Sequence, residues 1–222
     1  MSTTDEAVVA VRRRAMMVET QLVRRGIRDA RILQVFRDVP REAFVPELLR
    51  AEALDDTPLP IAAGQTISQP YVVAWMLELL ALGPHDVLLD VGTGSGYAAA
   101  IASRLVRRVV SIERIPELAR TARDRLAALG YDNVEVHEGD GTHGWIAGAP
   151  YDAIMVGASG PALPPSLVAQ LADGGRLVCP VGPREDVQEL VRATRRGDEL
   201  DVESLGGVRF VPLVGDEGWA RG

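Results

Sequence analysis

The sequence predicts an α/β fold in which helices pack on both faces of a mostly parallel sheet, and three observations support this class. An apolar run, Val87 to Val91, ends at a cluster of glycines and is followed by an Ala-rich stretch, which is the pattern of a buried strand, a tight turn and a helix. A second apolar run, Val109 to Glu113, precedes a helical segment. Two further strand-length runs, 134–137 and 151–158, follow with turn residues between them. Strands that alternate with helices in this way form sheets covered on both sides.

The composition is that of an ordinary globular protein. With 222 residues, of which 47% are hydrophobic and 25% charged, the chain is long enough for a single domain with a sizeable core. The net charge of −7 argues against nucleic acid as a partner. No apolar run approaches the roughly 18 residues of a membrane span, and no signal peptide is visible. The single cysteine, Cys179, cannot form an internal disulfide, so we expect a cytoplasmic protein without a membrane partner.

The sequence of the N-terminal third predicts short helices that would not be stable in isolation. Residues 6–25 have helical spacing and stop at Gly26, and a second helix should run from Asp29, as its N-cap, to Arg37. Such short helices need tertiary packing to be stable. We therefore expect one domain over 1–222, with 1–60 as a helical cap on a core formed by 61–222.

The glycine-rich turn predicts a nucleotide site. Glycine at alternate positions, Gly92, Gly94 and Gly96, lets the backbone adopt positive φ and approach a bulky ligand. A dinucleotide fingerprint would place its third glycine at Tyr97. The spacing, with Asp90 at the end of the strand, resembles the first motif of class I S-adenosylmethionine (AdoMet) methyltransferases, but the turn by itself leaves other nucleotide-binding α/β proteins open.

Two later features bear on the choice of nucleotide. Glu113 ends the second strand, where a carboxylate can accept both hydroxyls of a ribose. That geometry suits NAD and AdoMet alike, and Glu113 could instead pair with Arg114 at the surface. The turn at 139–141, which contains Asp140 and Gly141, resembles the adenine-binding turn of AdoMet enzymes and favours AdoMet over NAD.

A polar loop precedes the helix predicted over 72–82. Ser68 lies where an N-cap is expected, with Pro70 in the first turn. Capping alone does not explain the polar residues 64–66 before it. The whole segment 64–71, Gly-Gln-Thr-Ile-Ser-Gln-Pro-Tyr, closely resembles the loop peculiar to protein-L-isoaspartate O-methyltransferases, and the segment 39–46, Val-Pro-Arg-Glu-Ala-Phe-Val-Pro, resembles the same family.

This resemblance implies a fold, a reaction and a set of site residues. The fold would be a doubly wound, mostly parallel, seven-stranded Rossmann-like methyltransferase sheet with an N-terminal helical extension. The protein would transfer a methyl group from AdoMet to the free carboxylate of L-isoaspartyl residues in damaged proteins and peptides, releasing S-adenosyl-L-homocysteine. Ser68 would be the catalytic residue. The residues expected to bind AdoMet are Thr66, Ile67, Ser68, Gln69, Asp90, Gly92, Thr93, Gly94, Ser95, Gly96, Glu113, Asp140 and Gly141.

The implied chemistry needs neither a metal nor a general base. An isoaspartyl α-carboxylate has a pKa of roughly 3.5 and is already ionised at neutral pH. The sequence shows no Ser/His/Asp or Cys/His set and no metal-ligand spacing. Methylation activates the carboxyl group, so the next backbone nitrogen can close a succinimide whose hydrolysis returns some normal aspartate. We expect a monomer whose partners are its isoaspartyl substrates.

Three alternatives remain open at this stage. They are a carboxyl methyltransferase of the same fold that acts on an aspartate in a dedicated peptide, a nicotinamide-dependent oxidoreductase, and a non-catalytic nucleotide-binding module. The chain also departs from several relatives at two positions. Val73 stands where they have His, and Val214 where they have Thr, which puts two AdoMet contacts in doubt.

Overall fold

A seven-stranded sheet forms the centre of the computed structural model, which describes residues 3–220. Its strand order is β5-β4-β3-β6-β7-β8-β9. Only β8 runs opposite to the others, since it pairs antiparallel with both of its neighbours. The predicted mostly parallel sheet of seven strands is confirmed. The strands are β3 (Val87–Val91), β4 (Arg108–Glu113), β5 (Val134–Glu138), β6 (Tyr151–Val156), β7 (Leu171–Val181), β8 (Gln188–Arg196) and β9 (Glu199–Val208), with a small ribbon of β1 (Leu59–Pro60) and β2 (Thr66–Ile67) outside the sheet.

Three of the four connections between the parallel strands β3 to β7 contain an α-helix, and the fourth, from β5 to β6, contains two 3-10 turns. The α-helices are α1 (Thr3–Met17), α2 (Ala30–Asp38), α3 (Pro70–Leu80), α4 (Tyr97–Ser103), α5 (Pro116–Ala128) and α6 (Pro165–Ala169). Proline opens α5, and Gly130 adopts a φ of 72° just beyond its end, as the sequence predicts.

The N-terminal helices form as predicted. Helix α1 continues through one π-helical turn and one 3-10 turn to Gly26, whose φ of 99° ends the helical segment. Asp29 caps α2 by accepting a hydrogen bond of 2.8 Å from the backbone N–H of Arg31. Glycine in the left-handed region and an Asp cap are the usual signals for these two boundaries.

The N-terminal segment packs directly onto the helix that follows the glycine turn. The ring of Phe36 lies edge-on to that of Tyr97, with 6.1 Å between centroids, and Phe44 contacts the same ring at 5.5 Å. All three side chains are buried in one apolar cluster that continues into the sheet. Edge-to-face aromatic pairs of this kind add to the stabilisation that burial provides.

The two edges of the sheet are β5 and β9. Strand β9 is exposed along most of its length, whereas β3 is buried at every position. The core therefore lies around β3, β4 and β6, on which the glycine turn is built. Among the described residues, no helix combines the length and apolar character that crossing a bilayer requires.

Candidate functional site

A cleft opens at the carboxyl ends of β3, β4 and β6. The chain adds β4 and β5 on one side of β3 and then places β6 and β7 on the other side. Ligands of open α/β sheets bind at the point where the strand order reverses in this way. The cleft has three adjoining parts, and Thr66 and Gly157 line all of them. We call these the β4 side, the α3 side and the mouth.

Each part has a distinct lining. The β4 side includes Glu113, Ile115, Gly141, Leu213 and Val214. The α3 side includes Ser68, Val73, Asp90, Thr93, Ser95, Tyr97 and Phe210. The mouth includes Pro58, Ser68, Gln69, Val72, Arg209 and Phe210.

The glycine turn forms the floor between the first two parts. Gly92, Gly94 and Gly96 have φ values of 94°, 53° and 88°, a region in which a residue with a Cβ is strained. A Cβ at Gly96 would also lie 3.3 Å from the side chain of Leu126 on α5. The prediction of positive φ at all three positions is confirmed.

Glu113 fastens this turn to β4. One carboxylate oxygen accepts a hydrogen bond from the backbone N–H of Gly94 at 2.9 Å, and the other accepts from the N–H of Ile115 at 2.9 Å. The residue is buried yet lines the β4 side. Within residues 3–220 Glu113 forms no ion pair with Arg114. Since each oxygen has a second lone pair, the carboxylate can still accept hydrogen bonds from a ligand's hydroxyl groups.

Asp90 is a buried carboxyl group on the α3 side. The hydroxyl of Ser111 donates to it at 2.7 Å and also lies 2.6 Å from the hydroxyl of Thr93. Burial raises the pKa of Asp90 to about 6, although the hydrogen bond from Ser111 opposes that shift. Within the described part of the chain no cation pairs with Asp90, and a buried carboxylate in that situation favours a ligand that brings a positive charge.

The loop before α3 covers the cleft. Strand β2 pairs with β1, which holds Thr66 and Ile67 over the glycine turn. The prediction that Ser68 caps α3 is wrong, because Gln69 is the N-cap residue and makes no side-chain cap. Ser68 lies one residue earlier, and its hydroxyl forms no hydrogen bond within the described part of the chain. That hydroxyl is thus free to serve a ligand at the boundary between the α3 side and the mouth.

Of the two residues in the turn after β5 that were predicted to bind AdoMet, only Gly141 lines the cleft. Gly141 lines the β4 side, and a Cβ there would lie 2.6 Å from the side chain of Val91. Asp140 lies outside the cleft and accepts hydrogen bonds from the N–H and hydroxyl of Thr142, at 2.9 and 2.7 Å, and from the N–H of Asp216 at 2.8 Å. Burial acts to raise the pKa of Asp140, but these hydrogen bonds outweigh it and lower the pKa. Asp140 is therefore placed to hold the C-terminal segment.

Two pairs of residues, His143 with Asp216 and Ser166 with Glu217, complete that attachment, and we call them the clasp. His143 Nε2 lies 3.0 Å from a carboxylate oxygen of Asp216, and Glu217 accepts from the N–H and hydroxyl of Ser166 at 2.9 and 2.6 Å. Asp140, His143 and Asp216 place their ligand atoms within 4.8 Å of one another. The hydrogen bonds to Asp216 account for this clustering without a metal ion. That the protein needs no metal stays a prediction.

Comparison with known proteins decides the family. The family model for protein-L-isoaspartate(D-aspartate) O-methyltransferase matches residues 12–218. The chain belongs to this family. A protein-L-isoaspartate O-methyltransferase of Pelobacter propionicus is 59% identical over 208 residues, covering 93% of this chain and 92% of that protein. One from Rhodopseudomonas palustris is 55% identical, covering 97% and 89%.

Solved structures of the family share the fold. A protein-L-isoaspartate O-methyltransferase matches with a TM-score of 0.83 and 28% identity, covering 92% of this chain and 67% of the other. One from Plasmodium falciparum, solved in complex with S-adenosyl-L-homocysteine, matches with a TM-score of 0.77 and 28% identity, covering 90% and 98%. The nicotinamide-dependent reading of the glycine turn is thereby set aside.

For this family member, the cleft collects most of the residues singled out in the sequence. Gly96 supports the turn from behind and Asp140 lies beside the cleft, so neither lines it. Val73 and Val214, the two departures from relatives, do line it. The predicted residues that line the cleft are Thr66, Ile67, Ser68, Gln69, Asp90, Gly92, Thr93, Gly94, Ser95, Glu113 and Gly141.

Two of the residues that line the cleft without having been expected to bind AdoMet stand out. Gly157 follows β6 and lines all three parts of the cleft, and its position at the carboxyl end of a central strand was the available signal. Arg209 is the only charged side chain among the described residues that line the mouth. It follows β9 closely, but no local pattern shows that the chain brings it beside Ser68.

Proposed function

We propose that the protein transfers the methyl group of AdoMet to the free carboxylate of L-isoaspartyl residues in proteins and peptides. The observation that carries this proposal is the family's Ser68 loop, folded over a nucleotide cleft at the switch point with the Ser68 hydroxyl free. When bound, AdoMet supplies a methyl group on a positively charged sulfur, and the sulfur keeps the electron pair of the broken carbon–sulfur bond as the carboxylate oxygen takes the methyl.

The residues of the cleft fit AdoMet. Asp90 is a buried carboxyl group that would be stabilised in its ionised form by a cationic ligand, and we assign it to the positively charged amino-acid end. Glu113 offers acceptors for the ribose hydroxyls on the β4 side. Gly92 and Gly94 let the backbone approach the ligand closely.

Ser68 and its loop would handle the substrate. The isoaspartyl carboxylate is already ionised, so no residue has to remove a proton. The Ser68 hydroxyl would donate to that carboxylate and hold one oxygen toward the α3 side, and Arg209 would attract the anion at the mouth. Holding two reactants in line contributes on the order of 7–11 kcal/mol in the most favourable cases.

We also propose where the protein acts and in what oligomeric state. The net charge of −7 supports action without nucleic acid. We propose that the protein acts as a cytoplasmic monomer on damaged polypeptides, since the residues of the cleft come from a single chain. Size-exclusion chromatography with light scattering tests the monomer, and a mass of twice the 23.9 kDa chain would contradict it.

The deciding experiment compares two peptides that differ at one linkage. Radiolabelled methyl transfer from AdoMet is measured to a peptide that contains isoaspartate and to the same peptide with normal aspartate. A pocket that senses one methylene discriminates by only about 1–3 kcal/mol, so we expect hydrogen bonds to the peptide to extend the preference beyond roughly 100-fold. Equal rates on both peptides would instead support an aspartyl methyltransferase of the same fold.

A further inference from the structure

Arg41 is a fully buried cation beneath the Ser68 loop. It belongs to the segment 39–46, to which the resemblance assigns no role, and its exposed fraction is 0%. Arginine is almost never buried completely unless its charge is paired. Within residues 3–220, however, no carboxylate lies within ion-pair distance of its guanidinium group.

Backbone carbonyl groups take the place of a counter-ion. One terminal nitrogen of Arg41 donates to the carbonyl of Ala53, and the other donates to the carbonyl of Ser68 at 2.9 Å and to that of Thr57 at 3.4 Å. The guanidinium carbon also lies 5.8 Å from the centroid of the Tyr97 ring. A single side chain thus joins the N-terminal cap, the Ser68 loop and the first residue of α4.

The geometry of these contacts requires arginine. A planar guanidinium group presents several donors in a fixed fork, whereas a lysine ammonium is a compact charge that must give up some of these carbonyls. Burial lowers the pKa of Arg41, but the group stays a cation. The fixed fork therefore determines where the Ser68 carbonyl lies relative to the glycine turn.

We propose that Arg41 is a positioning residue that holds Ser68 in its reactive place by binding the Ser68 carbonyl. The proposal rests on the proposed function of Ser68. Arg41 is not among the residues that line the cleft, so its effect on turnover passes through the loop. A displacement of about 1 Å at a reacting group lowers a rate by up to about 100-fold, and this sets the size of the expected effect.

The test is a double-mutant cycle between Arg41 and Ser68. We expect Arg41→Met to lower kcat on an isoaspartyl peptide by about 10- to 100-fold, Arg41→Lys to restore part of that loss, and the AdoMet dissociation constant to stay within about twofold. In a Ser68→Ala background, Arg41→Met should lower kcat by less than about twofold, since coupled residues are not additive. Additive losses would overturn the proposal.

Arg14 provides the matched control. It is also buried, and it donates to the carbonyl of Arg37 at 2.9 Å and pairs with Glu42, without contacting the Ser68 loop. Arg14→Met should loosen the cap and lower the melting temperature while leaving the Ser68→Ala cycle additive. Equal coupling of Arg14 and Arg41 to Ser68 would show a general loss of stability and would refute positioning.

Amide hydrogen exchange gives a readout that does not depend on activity. Arg41→Lys should speed exchange in the β1–β2 ribbon, 59–67, whereas Arg14→Met should leave that ribbon protected. If Arg41→Met does not fold, Arg41→Lys carries both the cycle and the exchange measurement, and unchanged exchange at 59–67 then counts against the proposal. Lack of methyl transfer by the wild-type protein would refute the proposed function instead, and the exchange result would still separate the two.

Discussion

Replacing Asp90 with Asn should stabilise the unliganded protein at neutral pH and weaken its binding of AdoMet. The carboxyl group is buried, and its pKa is raised from 3.8 to about 6. Keeping it ionised at pH 7 therefore costs the folded state about 3 kcal/mol relative to an ordinary carboxyl group. Asparagine keeps an oxygen to which Ser111 can donate and carries no charge.

The sign of the pH dependence follows from proton linkage. The folded protein holds the Asp90 proton to higher pH than the unfolded chain does, so stability from this group is complete below about pH 4 and is lost as pH rises through about 6. The advantage of Asp90→Asn over wild type should be about 2 kcal/mol larger at pH 7 than at pH 4.5. For a chain of this length that corresponds to roughly 4–8 °C in melting temperature.

The assay is thermal unfolding of both proteins at the two pH values, with calorimetric titration of AdoMet at pH 7. Loss of a charge-assisted contact should weaken AdoMet binding by about 10- to 100-fold. Asp124→Asn, at an exposed position on α5, controls for the removal of one negative charge. A variant that is no more stable than wild type at pH 7, or that binds AdoMet equally well, would refute the reasoning.

Three further predictions concern the loop, the ribose contact and the clasp. Ser68→Ala should lower kcat about 10- to 100-fold with AdoMet affinity retained, as measured by methyl transfer and calorimetry. Unchanged turnover would show that Ser68 only lines the cleft. Glu113→Gln keeps the shape of the side chain but removes its charge, so AdoMet affinity should fall about 10-fold in the same titration; undiminished affinity would exclude a ribose contact. The hydrogen bond to Asp216 raises the pKa of His143, so the clasp is strongest below the ordinary His value and weakens as pH rises through the raised pKa. The amide-exchange protection factors of 214–219, which correct for the intrinsic pH dependence of exchange, should fall over that range in wild type, and the same fall in His143→Gln would contradict this.

Local sequence patterns predicted most of the fold. The five parallel strands from β3 to β7 each carry an apolar run bounded by glycine, proline or polar residues, and Gly26, Asp29 and Gly130 mark helix boundaries that the structure confirms. The position of β8, antiparallel between β7 and β9, could not be read locally. Strand order depends on which edges pair, and that choice is made over long sequence separations.

The candidate site was predictable where strand ends determine it. Asp90, Glu113 and the glycine turn follow from the rule that ligands bind at the carboxyl edge of the sheet. The contact of Asp140 with the C-terminal segment was not predictable, because its partner there, the N–H of Asp216, lies 76 residues away along the chain. The buried state of Arg41 escaped detection for the same reason, since its three carbonyl partners lie 12 to 27 residues away along the chain.

The open edge formed by β9 has a consequence for an enzyme whose substrates are damaged polypeptides. Such clients expose unpaired segments, and a bare edge strand is a template onto which they could add and aggregate. Glu199, Asp201 and Glu203 alternate along β9 and are all exposed. Arg192 and Arg196 on β8 pair with Glu203 and Asp201, so an incoming strand would have to lie alongside a row of charged side chains. Charged edge positions of this kind discourage strand addition, so β9 is a poor template for the polypeptides on which the enzyme acts.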